Sequence, residues 1–191
     1  MLPDSREIEL LQQTVEKASE LAQSFSDYAQ GLNSLSQLDL YEILAQTINK
    51  YEPSAAERGV VLHVAMSESV HGVKTEGDAV LLESAISGVI QNALEATHAG
   101  GQITVSATIE GMEGNKSSVV KIRVEDTGCG IQRGDLEKVS VPFYTTKKNH
   151  DGLGLSMASR FIELHGGGLQ IESCQGKGTE INVTLPVSVQ T

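Results

Sequence analysis

Between residues 124 and 131 the chain reads Val124-Glu125-Asp126-Thr127-Gly128-Cys129-Gly130-Ile131. Alternating apolar residues before it predict a strand that ends near Asp126. A carboxylate at the end of a strand can accept a hydrogen bond from an exocyclic amine such as that of adenine, and the two glycines let the backbone turn sharply and approach a flat ring closely. A plain Asp-Thr-Gly turn is the competing interpretation, and this segment alone does not choose between the two.

A second glycine-containing stretch, Asp151-Gly152-Leu153-Gly154-Leu155-Ser156, leads into a helix predicted over residues 155–164. Glycines at such a point expose free backbone N–H groups at the positive end of the helix dipole, and together these bind phosphate. A single Gly-x-Gly is weak support by itself. The same holds for Gly176-Lys177-Gly178-Thr179, which reads as a tight turn between two strands.

An asparagine, Asn92, lies inside the helix predicted over residues 78–97, among apolar neighbours. Asparagine is mildly unfavourable in a helix interior because its side chain competes with the backbone for hydrogen bonds. Its amide is therefore expected to serve another purpose, and an amide oxygen is a suitable ligand for a magnesium ion that already holds phosphates. The alternative is a partly exposed helix asparagine with no ligand.

The remaining pattern predicts helices and strands that are unevenly interleaved along the chain. Asp39 caps a helix, with Glu42 in the capping-box position, and we expect Pro53 to end it. Strands are predicted over residues 60–66, 103–109, 120–124, 169–173 and 180–185. A mixed or mostly antiparallel sheet with these helices predicts an α/β fold, a two-layer α/β sandwich.

Residues 1–33 are predicted to form a separate unit, a long helix over residues 4–32 that Asp4 and Glu7 begin with a capping box. Apolar residues then recur at alternating spacings of three and four, which is a heptad pattern. This favours an oligomerisation helix over an amphipathic helix that lies on its own domain. A linker rich in Ser, Asn and Gln is predicted over residues 31–38, and a domain over residues 34–191 follows.

Composition excludes several classes of protein. A formal net charge of −11 argues against a general nucleic-acid binder, which needs clustered Lys and Arg. No apolar run is long enough to span a bilayer and no signal peptide opens the chain, so we expect no membrane contact by this chain. Cys129 and Cys174 have neither metal-ligand spacing nor a disulfide framework, which predicts small buried or loop thiols in a reducing compartment.

Together, five segments resemble, in order, the conserved boxes of the GHKL ATPase superfamily, which includes gyrase-type topoisomerases, mismatch-repair ATPases and histidine kinases. The resemblance covers about residues 39–186. The matching segments are Asn92 for the N box, residues 126–130 for the first glycine box, Pro142-Phe143-Tyr144-Thr145-Thr146-Lys147 for the F box, residues 152–156 for the second glycine box and residues 176–179 for the third.

Within this superfamily the chain most resembles sensor histidine kinases of the nitrogen-regulator type. The features that carry this resemblance are the Thr-Thr-Lys of the F box, the short stretch from there to Gly152, and a helix that ends in Glu163-Leu164-His165-Gly166-Gly167. A gyrase or mismatch-repair ATPase would place a glutamate one helical turn before Asn92 to activate water, and that position is Gly88 here.

The resemblance implies a Bergerat-type ATP-binding fold, with ATP and Mg²⁺ as cofactors. Asp126 would bind the adenine amine, Thr179 would support it through water, and Asn92 would hold the magnesium ion. Lys147 or Lys148 would reach the terminal phosphate, although both also suit solvated loop lysines. Asn92 and Lys147 are therefore the predicted catalytic residues. The predicted cofactor-binding residues are Asn92, Glu95, Asp126, Gly128, Gly130, Ile131, Thr145, Thr146, Lys147, Gly152, Leu153, Gly154, Leu155 and Thr179.

The resemblance also implies a cytoplasmic protein that transfers the γ-phosphoryl group of ATP to a histidine. In this family that histidine is typically followed by Glu and, a few residues later, by Pro. None of the five histidines has this setting, and His165 is expected to have a surface or C-cap role. The implied partners are a histidine-bearing dimerisation helix from outside this chain, a response regulator, and a second copy bound through the N-terminal helix as a homodimer.

Two further departures from the family pattern bear on activity. Many members carry Asn or Glu at the position of Gly88, so we expect weaker magnesium coordination or ATP hydrolysis here. Ser140 stands where the F box often has its first Phe, which predicts altered docking of that segment. Two other functions share the same boxes: a serine/threonine kinase of the anti-sigma-factor type, and a degenerate ATP-binding or docking module.

Overall fold

The computed structural model describes residues 36–111, 118–147 and 150–187. The helix predicted over residues 4–32 lies outside these ranges, so it and the predicted boundary at residues 33 and 34 remain predictions. The helices are α1 (Leu40–Glu57), α2 (Ala79–Ala96) and α3 (Gly154–Leu164), with a short 3₁₀ helix at Glu68–Val70. The strands are β1 (Ser36–Asp39), β2 (Val61–Met66), β3 (Lys74–Gly77), β4 (Gln102–Gly111), β5 (Ser118–Asp126), β6 (Gly168–Cys174) and β7 (Gly178–Pro186).

The main sheet has five strands in the order β2-β4-β5-β7-β6. β2 pairs with β4 in parallel, and the other neighbours are antiparallel. Every second residue of the central strands is buried beneath the helices, as in Val105, Val124 and Ile181, which pair in register across the sheet. Polar residues such as Arg123 alternate with them on the opposite face. The prediction of a two-layer α/β sandwich with a mixed sheet is confirmed.

The α1 helix begins where the sequence predicts and ends later. Asp39 Oδ1 accepts a hydrogen bond from the Glu42 N–H at 3.2 Å, as the capping box requires. Pro53 does not end the helix, which continues through it to Glu57. The prediction was wrong because Pro53 is exposed, so solvent can hydrate the Asn49 carbonyl that loses its partner, while burial of Ala55 holds the last turn against the core.

A second sheet of two strands pairs β1 with β3 antiparallel, from Ser36 opposite Gly77 to Asp39 opposite Lys74. β1 overlaps the stretch predicted as a linker over residues 31–38, and β3 was not predicted from the sequence. Each strand has only four residues, too few for a recognisable alternation. The pair leads the chain directly to Asp78, which caps α2 by accepting hydrogen bonds from the N–H groups of Val80 and Leu81.

His165 joins the end of α3 to the start of α2. It occupies the predicted C-cap position, but it is buried rather than on the surface. Its Nε2 accepts a hydrogen bond from the Asp78 N–H at 2.9 Å, so the proton lies on Nδ1, which donates to the Phe161 carbonyl at 2.6 Å. The ring lies against Gly77, where a Cβ atom would stand 2.1 Å from His165 Cδ2.

Both cysteines are free and exposed: Cys129 lies in a loop, as predicted, and Cys174 is the last residue of β6. Among the helices of the described ranges, none is long and apolar enough to cross a membrane.

Candidate active site

A cavity of about 560 Å³ lies between α2, the start of α3 and the loops that follow β5 and β6. All predicted cofactor-binding residues line it except Gly128. Gly128 instead lies against the Ala96 carbonyl and donates its backbone N–H to Asp126. The fold thus brings together residues that are far apart in sequence, while their roles in binding remain predictions.

Asp126 lies at the end of β5, where only 6% of it is exposed. Its Oδ1 accepts hydrogen bonds from the N–H groups of Gly128 at 2.8 Å and Thr179 at 3.3 Å. Both use the same oxygen, which leaves Oδ2 without a partner among the described residues. Burial raises the pKa of the Asp126 carboxyl, and the two backbone hydrogen bonds offset this only in part. The site therefore holds a carboxylate that can accept one more hydrogen bond.

The loop after β5 is held against the turn between β6 and β7. Gly130 has φ +64°, and a Cβ atom there would stand 2.1 Å from the Cys174 carbonyl oxygen, so only glycine fits. The Ile131 N–H donates to Ser173 Oγ at 2.8 Å, and the Ser173 hydroxyl lies 2.9 Å from that of Thr179. These contacts fix the backbone that follows Asp126 against the turn between β6 and β7.

One face of α2 carries a compact polar cluster beside the cavity. The Lys147 ammonium donates hydrogen bonds to Asn92 Oδ1 at 2.8 Å and to Glu95 Oε2 at 2.9 Å. Gln91 Nε2 donates to Glu95 Oε1 at 3.1 Å, and His150 Nδ1 lies 3.5 Å from Glu95 Oε2. Burial alone would raise the pKa of Glu95, but the hydrogen bonds from Lys147 and Gln91 and the positive charges of Lys147 and His150 outweigh it and lower that pKa.

The start of α3 forms another part of the wall. Gly152, Leu153, Gly154 and Leu155 all line the cavity there. Leu153 is the N-cap residue, and no described side chain caps the helix at this end. The N-cap residue therefore offers no side-chain acceptor to the first N–H groups of α3, and the helix dipole adds partial positive charge at the same place. Such an end favours a negatively charged group.

The F-box segment, residues 142–147, contributes Tyr144, Thr145, Thr146 and Lys147 to the cavity wall. The Tyr144 hydroxyl donates to Asp135 Oδ1, and this hydrogen bond to a carboxylate raises the pKa of Tyr144. Lys148, the other lysine considered for the terminal phosphate, lies outside the described residues. Ser140 is exposed, so the position of the expected first Phe adds nothing to the wall.

Comparison with known proteins agrees with this geometry. Residues 77–189 match the family described as histidine kinase-, DNA gyrase B-, and HSP90-like ATPase. The chain belongs to this ATPase family. It is 31% identical over 154 residues to the sensor histidine kinase ZraS of Salmonella typhi, covering 81% of this chain and 32% of that protein. It is 31% identical over 194 residues to the alginate biosynthesis sensor protein KinB of Pseudomonas aeruginosa, covering 96% of this chain and 31% of that protein.

The fold of this ATPase-family member is also that of solved catalytic domains. The nucleotide-free catalytic domain of histidine kinase ThkA superposes with a TM-score of 0.68 at 25% identity, covering 80% of this chain and 95% of that one. The chain spans about a third of the length of the curated relatives it matches.

Several cavity residues of this ATPase-family member were not predicted from the sequence: Gln91, Asp135, Tyr144, His150 and Gln175. Gln91 could have been found, because it lies four residues before Glu95 on the same helix face. The other four lie on loops. Their positions depend on the paths of residues 132–147 and 150–151 and of the turn after β6 along the cavity, and these segments have no periodic sequence pattern.

Proposed function

We propose that this chain binds Mg²⁺-ATP and transfers the γ-phosphoryl group to a histidine supplied by another segment, as the catalytic part of a two-component sensor kinase. The observation that carries the proposal is the buried Asp126 carboxylate on the cavity wall, with one oxygen left for a ligand. Of the proteins described above, ZraS is named a sensor histidine kinase and ThkA a histidine kinase, which supports the same reaction class. The acceptor is assigned to another segment because no histidine of this chain is followed by Glu.

In this proposal the adenine ring enters beside the loop after β5. Asp126 Oδ2 accepts a hydrogen bond from the exocyclic amine, and the Thr179 hydroxyl supports the same amine through water. An adenine amine is a donor, whereas guanine presents a carbonyl oxygen at the equivalent ring position. An ionised Asp126 would repel that oxygen, so the site should prefer adenine to guanine.

The phosphates extend toward the start of α3, where the N–H groups of Gly152, Gly154 and Leu155 donate hydrogen bonds to the phosphate oxygens. Lys147 supplies a cation to the terminal phosphate. The donor set beside it fits magnesium, since Asn92 offers an amide oxygen and hard oxygen ligands suit this ion. When bound, magnesium neutralises charge on the phosphates. The chain's own groups hold the γ-phosphoryl group in line for attack, and such positioning is the main requirement of phosphoryl transfer.

The transfer itself exchanges one bond for another. A neutral imidazole nitrogen of the acceptor forms a bond to the γ-phosphorus while the bond from that phosphorus to the β–γ bridging oxygen breaks. ADP leaves, and the imidazole loses its N–H proton. The proposed partners are therefore a histidine-bearing dimerisation helix, a response regulator that takes the phosphoryl group onward, and a second copy of the chain bound through residues 1–33. The proposed location is the cytoplasm.

Calorimetry of Mg²⁺-ATP binding to the wild-type chain and to Asp126→Asn tests the nucleotide site. We expect the substitution to weaken binding by about 100-fold, because loss of a hydrogen bond to a charged group and its replacement by a mismatched amide cost about 1.5–3 kcal/mol. Glu57→Gln is the matched control, since this exposed carboxylate at the end of α1 lies outside the cavity and its neutralisation should leave affinity unchanged.

The reaction class is tested with ATP labelled at the γ-phosphate and a separate acceptor helix from a related kinase. Acid-labile, base-stable label on the acceptor is the expected outcome and indicates phosphohistidine. Tight ATP binding without any transfer would contradict the kinase proposal, and phosphoserine on a partner would replace it with the anti-sigma-factor type. Absence of ATP binding would contradict both kinase hypotheses and favour a degenerate docking module.

A further inference from the structure

The α2 face beside the cavity offers two oxygens to one positive charge. Asn92 and Glu95 are three residues apart on the helix, so their side chains project from the same face. Asn92 Oδ1 and Glu95 Oε2 both lie within 2.9 Å of a single atom, the Lys147 ammonium nitrogen. Two oxygens that converge on one nitrogen already define a point at which a cation is held.

The preceding turn of the helix offers no such oxygen. Gly88 lies one turn before Asn92 on the cavity wall and has no side chain. A Cβ atom at Gly88 would make a tight contact, 3.1 Å from the Gly154 carbonyl oxygen. Three α2 side chains on the cavity wall carry an oxygen, namely Gln91, Asn92 and Glu95, and of these Asn92 and Glu95 direct theirs to the Lys147 ammonium.

The Glu95 side chain is held in a fixed orientation. Gln91 donates to its Oε1, which fixes the carboxylate plane and leaves Oε2 directed to the Lys147 ammonium. Only 17% of the Glu95 side chain is exposed. A fixed, ionised carboxylate beside an amide oxygen is a suitable donor pair for a small divalent cation, and second partners that orient a ligand strengthen metal binding.

We propose that Glu95 is a second magnesium ligand in this chain, acting with Asn92, and that the Lys147 ammonium occupies the place of the ion. This rests on the proposed function, since it assigns a residue within the Mg²⁺-ATP site. The ammonium and the metal are alternative occupants of one position. Arrival of the metal with ATP displaces Lys147 from Asn92 and Glu95 and frees its charge for the phosphates. Glu95, about one helical turn after Asn92, thus supplies the oxygen ligand that Gly88, one turn before Asn92, cannot supply.

The test compares ATP affinity in Mg²⁺ with ATP affinity in EDTA, by calorimetry, for the wild-type chain and Glu95→Gln. The ratio of the two affinities should fall by about tenfold or more in the variant, as expected for loss of a metal ligand. Affinity in EDTA should stay equal or rise, because a negative charge near the phosphates is removed. Glu83→Gln is the matched control: it makes the same change on the same helix, outside the cavity, and should preserve the ratio.

A second measurement uses Mn²⁺ alone, detected by electron paramagnetic resonance without nucleotide. Lys147→Met should bind Mn²⁺ more tightly than the wild type because the competing ammonium is gone, and adding Glu95→Gln should abolish that gain. Two results would overturn the inference without contradicting the proposed nucleotide site. One is an unchanged ratio of ATP affinity in Mg²⁺ to ATP affinity in EDTA for Glu95→Gln, and the other is equal Mn²⁺ binding by Lys147→Met and the wild type. No ATP binding by the wild type in either buffer would overturn the proposed function and this inference with it.

Discussion

Asp126 has opposite effects on ligand binding and on stability. Its pKa is raised in the folded protein, mainly by burial, so folding holds a proton on this carboxyl that the unfolded chain has already released. Between the ordinary value of 3.8 and the raised value, the folded state binds more protons, and stability falls as the pH rises through this window. Above the window the charged carboxylate is a constant cost. The residue proposed to bind adenine therefore destabilises the domain.

Asp126→Asn should consequently be more stable than the wild type at pH 7, although it loses ATP affinity. Each tenfold displacement of the acid dissociation constant corresponds to about 1.4 kcal/mol, and the amide oxygen can still accept the hydrogen bonds from Gly128 and Thr179. Urea unfolding at a series of pH values measures the difference between the two proteins. It should shrink as the pH falls through the raised pKa and then below 3.8, where the Asp126 carboxyl is protonated in both the folded and the unfolded chain. A wild type that is equally stable or more stable at pH 7 would contradict this.

Gly77 should tolerate no side chain while His165 keeps its place. Gly77→Ala puts a methyl group 2.1 Å from a buried ring that two hydrogen bonds hold, and overpacking of this kind costs about 1–3 kcal/mol. Urea unfolding should show this loss, and Gly134→Ala, where no atom lies within 4 Å, should not. The penalty of Gly77→Ala should largely vanish in a His165→Ala background, since the ring is its cause. Equal penalties in both backgrounds would show that the ring is not responsible.

At the scale of elements, α1 contains Pro53 in its interior, although proline strongly disfavours a helix interior. Pro53 removes one helix hydrogen bond, and Pro53→Ala restores the N–H that the Asn49 carbonyl lacks. We expect the free energy of unfolding to rise by about 1–3 kcal/mol, less the small entropy that proline removes from the unfolded chain. Ser54→Ala, the adjacent exposed position, should give a rise of less than about 0.7 kcal/mol from helix propensity alone. Unfolding that is unchanged or easier in Pro53→Ala would mean that the proline relieves strain elsewhere.

The elements that the sequence predicts well are those with a sustained period. α2, α3, β4 and β5 each show regular apolar spacing, and each lies within a few residues of its prediction. β1 and β3 were missed because four residues carry too little pattern, and α1 was cut short because a local rule about proline ignores the buried Ala55 in the turn beyond it. Tertiary packing, which no local window contains, decided both cases.

At the scale of the whole molecule, the five boxes predict which segments meet, because in this family the fold brings all five to one cavity, and residues of each box line the cavity here. Asp126 and Asn92 could be placed there from sequence. The contact from Lys147 to Glu95 could not, since it joins residues 52 positions apart through a segment without periodicity. The same is true of Tyr144 and Asp135, whose hydrogen bond depends on the path of the F-box segment.

α2 and α3 run in opposite directions: Asp78, at the start of α2, touches His165 at the end of α3, whereas Gly88, further along α2, lies beside Gly154 at the start of α3. The negative pole of α2, at Ala96, and the positive pole of α3, at Gly154, therefore both lie at the cavity wall, each worth about half an elementary charge. A ligand that is itself a dipole, with a cation at one side and phosphate oxygens at the other, has only one favourable orientation in such a field. For the proposed metal–nucleotide complex, helix direction alone would favour the metal near the end of α2 and the phosphates near the start of α3, before any side chain is considered.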